Sequence, residues 1–177
     1  ATYASENRKM NTQKYYGMAA YNQDRPGTPW YFFVKLEADH DYFANIDYRL
    51  IPSVGPGYRF YEEEDFKLFT EIGLGAQYTH YRDVTEDSTE LILTPRLYIE
   101  KTFWGKLKLS EDFTLYPSLS DMGEYRFRSE SIAEYPISKA LAGRFSIIND
   151  YSSDVPPDTK KSDLRLVSAI VYTFSWF

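Results

Sequence analysis

His40 and His80 are the only histidines in the chain, and no cysteine accompanies them. His80 sits in "YTHYRD", three residues before Asp83. Such a histidine, met by a serine or aspartate from a neighbouring strand, could serve a hydrolase as general base. No serine stands in a Gly-x-Ser-x-Gly context, however. Two imidazoles without a thiol also fall short of a zinc site. "YEEED" at 61–65 lacks the alternating ligands and the glycine of a calcium loop. A rim histidine and a solvated charged turn are therefore expected, with no catalytic residue, metal or cofactor.

A more extended constellation is a set of charges spaced at alternate positions. Lys35, Glu37, Asp39, Asp47, Arg49, Arg59, Lys67, Glu71, Arg96, Glu100, Lys108, Asp112, Arg126, Arg128, Glu130 and Arg165 each share a side with other polar residues along an extended chain. Both signs occur, so neighbouring strands could pair them. Enclosed in a small barrel, they would either fill its interior as a polar core or line a narrow route for small solutes.

Period-two alternation can position such a set, and it runs the length of the chain. In "WYFFVKLEADH", Trp30, Phe32, Val34, Leu36 and Ala38 oppose Lys35, Glu37 and Asp39. In "IDYRLIPSVGPGYRF", Ile46, Tyr48, Leu50, Val54, Tyr58 and Phe60 oppose Asp47, Arg49, Ser53, Gly55, Gly57 and Arg59. "FKLFTEIGLGAQYTHYR" sets Phe66, Leu68, Ile72 and Leu74 against Lys67, Glu71, Gly73 and Gly75. Helical periodicity is not sustained anywhere. The spacing predicts about ten antiparallel strands, at 1–9, 12–22, 29–40, 45–62, 65–82, 88–104, 106–119, 123–136, 139–152 and 161–177, in one domain spanning 1–177.

The 177 residues can bury a real core, and the net charge of −6 with scattered basic residues argues against nucleic acid. No apolar run reaches the length of a membrane helix. That leaves two all-β readings, because a soluble calycin-like barrel carrying an apolar ligand alternates as a membrane barrel does. Loop lengths and ring positions separate them. Connections on one side are mostly tight ("EEED", Gly105, "PIS"), whereas "DVTEDST" and "SSDVPPDTKK" lie on the other. Trp30, Phe32, Tyr58, Phe60, Phe66, Phe103, Tyr172, Phe174 and Trp176 gather near the tight side, and Tyr48, Tyr78, Tyr125, Phe127 and Tyr151 near the opposite rim. Between them the same face is aliphatic. Two aromatic girdles around an aliphatic band are the mark of a transmembrane barrel.

The expected fold is thus an up-and-down antiparallel transmembrane β-barrel in meander order, located in the outer membrane of a Gram-negative bacterium. Its lumen would be lined by Lys35, Glu37, Asp47, Arg49, Arg59, Lys67, Glu71, Arg96, Glu100, Arg126, Arg128 and Arg165. The expected role is structural, or that of a narrow porin-like pore, and not enzymatic. Its partners would be outer-membrane lipids, the barrel-insertion machinery and other envelope proteins. Pro52, Pro95 and Pro117 fall inside predicted strands and call for bulges or incomplete closure.

"NDYSSDVPPDTKKSDLRLVSAIVYTF" resembles the C-terminal hairpin of the YdiY-like salt-induced outer-membrane protein family, through Pro156, Pro157, Lys160, Lys161, Asp163 and Tyr172 to Phe174. "VGPGYRF" and "EIGLGAQYTHYRD" are similar to that family's glycine-rich central hairpin. The resemblance implies an outer-membrane location. It brings no catalytic residues and no substrate. Ser175, Trp176 and Phe177 extend past the family's usual end, and the family usually begins with further strands upstream.

Overall fold

A computed structural model describes residues 2–6, 9–42, 44–82, 86–138, 140–155 and 160–172, with side chains from residue 14 onward. The architecture is a single antiparallel meander without helices among the described residues. A five-residue β1 (Thr2–Glu6) precedes the long strands β2 (Lys9–Asp24), β3 (Trp30–Asp41), β4 (Ile46–Glu62), β5 (Phe66–Tyr81), β6 (Ser88–Phe103), β7 (Leu107–Pro117), β8 (Tyr125–Pro136), β9 (Leu141–Ser152) and β10 (Ser162–Tyr172). Each strand pairs only with its neighbours in sequence.

The sheet curls into a half-barrel whose two ends differ. The chain leaves β2 for β3, β4 for β5, β6 for β7 and β8 for β9 at one end, the turn end. At the other, the loop end, it leaves β3 for β4, β5 for β6, β7 for β8 and β9 for β10, and the last three of these strand pairs are further apart in sequence. The eight-residue polar stretch "NQDRPGTP" is shortened as a connection, because β2 runs on through its first three residues to Asp24. Only Arg25 to Pro29 remain as turn, with Gly27 in a left-handed conformation (φ 72°).

Closure is incomplete. β1 pairs with β2 only from Lys9 to Lys14. From Tyr15 to Asp24 the free edge of β2 has no ladder partner among the described residues, nor has the far edge of β10. Lys14 reaches across this slot, its Nζ 3.1 Å from Asp41 on β3, 3.1 Å from Asp150 on β9 and 3.7 Å from Asp163 on β10.

The prolines act otherwise than by bulging. Pro52 and Pro56 interrupt the β4–β5 ladder, and the register is the same on both sides of each gap. The β6–β7 ladder stops one residue past Pro95, at Arg96↔Thr114, and only the isolated bridge Ile92↔Ser118 lies beyond. Pro117 closes β7. The bulges lie elsewhere, between Asp39 and Asp41, Ile46 and Tyr48, and Arg59 and Tyr61.

Candidate functional site

The curled sheet turns its charged side inward. Along β3, Trp30, Phe32, Val34 and Leu36 are exposed while Tyr31, Phe33, Lys35 and Glu37 are buried. Lys35 and Glu37 are each 3 % exposed, whereas Ile72 on the opposite side of the wall is 61 % exposed. A water-soluble barrel with an apolar interior needs the reverse arrangement.

Midway along the lumen the charges and rings form a closed waist. Glu71 accepts from Tyr31 Oη at 2.9 Å and Arg96 Nη1 at 3.1 Å, with Lys35 Nζ at 3.6 Å. Arg96 also grips Asp112 through two parallel bonds of 2.8 and 2.6 Å. Glu37 accepts from Tyr16 Oη on the neighbouring β2 (3.0 Å) and from Tyr116 Oη (2.7 Å), the latter tying β7 to β3 across the lumen. Phe33, Ile51 and Ile92 are almost fully buried. Such partnering is what makes buried charge tolerable.

Glycine makes room for this plug. A Cβ on Gly57 would lie 2.2 Å from the Tyr31 ring, and one on Gly73 2.9 Å from that of Phe33. The inner face of the glycine-rich hairpin is therefore a niche for two rings of β3. Alternation placed these glycines on the polar side, but did not single out Tyr31, Phe33 or Tyr116 as lumen residues. The signal was available in their spacing with Lys35 and Thr114.

Towards the loop end the lumen opens into a vestibule of about 420 Å³, lined among others by Lys14, Asp39, Arg49, Arg126, Arg128 and Asp150. Asp150 pairs with Lys14, with Arg128 (3.1 Å) and with Arg165. Arg49 bonds Thr79 Oγ1 at 3.3 Å and Asp39 at 3.4 Å. Towards the turn end, Arg59 meets Asp24 at 2.7 Å, and Lys67 meets Glu100 at 3.2 Å.

Eleven of the twelve expected lumen residues face inward: Lys35, Glu37, Arg49, Arg59, Lys67, Glu71, Arg96, Glu100, Arg126, Arg128 and Arg165. Asp47 does not. It occupies the bulge between Ile46 and Tyr48, with its side chain 52 % exposed and 3.9 Å from His40. The same bulge reverses Ile46, expected on the apolar face and found buried. A one-residue slip flips every side chain beyond it.

Trp30, Phe32, Tyr58, Phe60, Phe66, Phe103 and Tyr172 lie on the outer face; Phe174 and Trp176 fall outside the described residues. Trp30, Tyr58 and Phe60 pack edge to face at 4.8 and 4.7 Å near the turn end. Tyr48 stacks on His80 at 4.9 Å, and Phe127 on Tyr151 at 5.2 Å, near the loop end. His80 contacts Asp87 at 2.7 Å; Asp83 falls outside the described residues. Tyr78 Oη donates to the same Asp87 carboxylate at 2.5 Å. No serine joins that cluster among the described residues.

The outer face is not wholly apolar. Glu111, midway along β7, accepts from Ser129 Oγ at 2.5 Å and from Ser131 Oγ on β8. Alternation assigns Glu111 to this face with Leu109 and Phe113, yet a count of the inward charges passes over it.

Residues 1–174 match the model of a family described as "Protein of unknown function, DUF481". No curated protein matches the chain. The match spans nearly the whole sequence, and the chain belongs to this family.

Proposed function

We propose that this member of the family is an integral β-barrel of the bacterial outer membrane with a structural role and no enzymatic activity. The carrying observation is the inversion of the wall: buried lysine and glutamate inside, half-exposed tryptophan, phenylalanine and leucine outside. A monomer in water rarely exposes an apolar surface of this extent, whereas hydrocarbon is its natural solvent. The aromatic stacks at both ends, with Leu36, Ile72, Leu74 and Leu97 between them, agree with two headgroup girdles around an aliphatic band. On this reading the turn end is periplasmic and the loop end external, and the partners are outer-membrane lipids and the insertion machinery.

The waist favours a structural barrel over a pore. Tyr31 and Phe33 fill the space that the inner glycines leave, Tyr116 is buried as well, and ion pairs and tyrosine hydroxyls engage the waist carboxylates.

Trp30 tests the membrane reading. In liposomes, with Trp104 and Trp176 replaced by phenylalanine, its fluorescence should be dimmed more by lipid-attached quenchers at headgroup depth than by quenchers at the bilayer centre. Equal, weak quenching at both depths would return the chain to water.

A further inference from the structure

The vestibule holds a guanidinium that the protein leaves uncompensated. Arg126 directs Nε and Nη2 at one neutral acceptor, Gln77 Oε1, at 3.0 and 2.6 Å. Its flat face lies on the Tyr116 ring, 4.6 Å from the centroid. Among the described residues no carboxylate comes within ion-pair distance of it. Arg49 lines the same cavity and has one long contact to a carboxylate, 3.4 Å to Asp39. Other charges of this cavity are engaged: Lys14, Arg128 and Arg165 with Asp41, Asp150 and Asp163. Lys160 and Lys161 stand at the mouth, exposed and without an ion pair among the described residues. Uncompensated charge in this cavity is thus mainly positive, at its floor and at its lip; Asp154 is the exposed acid at its edge.

Two guanidinium forks with N–H groups not taken up by carboxylates, beside an open cavity, form a receptor for a tetrahedral or planar oxyanion. The geometry points to a binding site for a small dissolved phosphate-type anion, held between Arg49 and Arg126 and drawn in past Lys160 and Lys161. The volume of about 420 Å³ accommodates inorganic phosphate with its water. Glu90 and Glu124, which line the adjoining cavity beside Arg126, set a limit on its size by repelling an anion that spreads towards them. This inference needs only a solvent-filled vestibule, and does not depend on which side of a membrane it faces.

Gln77→Glu is the discriminating change, because it hands Arg126 a carboxylate of nearly the same shape. The test titrates inorganic phosphate into the folded full chain in neutral detergent at low salt, followed by calorimetry. Wild type should saturate at one site. Gln77→Glu and Arg126→Gln should each weaken it by about tenfold or more, the loss of a charge-assisted hydrogen bond. Lys160→Gln should weaken it by about two- to threefold. Heat-modifiable migration on gels, read on the same samples, reports folding separately. A folded wild type that shows no saturable binding would overturn the site. So would a folded Gln77→Glu protein that binds as wild type does.

Discussion

The waist and the vestibule are built from the same side chains, yet they behave as different materials. At the waist, Lys35, Glu37, Glu71 and Arg96 are closed into mutual pairs, and tyrosine hydroxyls donate to Glu37 Oε2 and Glu71 Oε1, leaving Glu37 Oε1 only the Lys35 ammonium at 3.6 Å. In the vestibule, Arg126 faces an amide and open space. The difference comes from the rings. Tyr31, Phe33 and Tyr116 fill the waist and expel solvent, so each charge there needs a protein partner. Where rings line an open cavity without filling it, water can serve instead, and incomplete pairing is cheap.

That contrast can be broken at the centre first. Glu71→Ala removes a partner of both Lys35 and Arg96 and should lower stability by about 3–5 kcal/mol in urea titrations. Asp163→Asn in the vestibule also touches two cations, Lys14 and Arg165, but its side chain is 44 % exposed. It should cost less than about 1 kcal/mol. Equal losses would show that the waist is as wet as the vestibule. A smaller effect is expected from Gly57→Ala, which drives a methyl into the Tyr31 ring and should cost about 1–3 kcal/mol. Gly17→Ala, with nothing within 4 Å, should leave the urea midpoint nearly unchanged.

The mildest effect belongs to the loop-end rim. Hydrogen bonds from Tyr78 and then His80 hold the Asp87 carboxyl below its ordinary value of 3.8. A depressed value contributes order above the unfolded pKa and loses it as pH falls through the folded one. The backbone at Glu86 and Asp87 should therefore resist an acid protease at about pH 5 and be nicked increasingly below about pH 4. Asp87→Asn should flatten that pH dependence without moving the waist.

Much of this organisation was legible in alternation. Strand bounds from 30 to 152 fall within two residues of expectation at nearly every end, because one face is charged and the other aliphatic throughout. Alternation cannot reveal an added residue, so the bulge at Asp47 misplaced both Asp47 and Ile46. Ring burial inside the lumen was likewise hidden. Alternation puts Tyr31 and Phe33 on the side of Lys35, but only the glycines of the facing hairpin show where such large rings fit. The proline positions showed that something must yield, but not whether register or ladder would; here the ladder does.

The meander order also has a kinetic meaning. Every ladder joins strands adjacent in sequence, so the sheet can grow as a zipper of hairpins, each closing only a short loop. Side chains also join strands that are not neighbours, and Lys14 spans furthest among the described residues, linking β2 to Asp150 and Asp163, which arrive last. It acts as a latch and not as part of a nucleus. Lys14→Met should accordingly speed unfolding in stopped-flow traces while leaving the refolding limb of the chevron where it was.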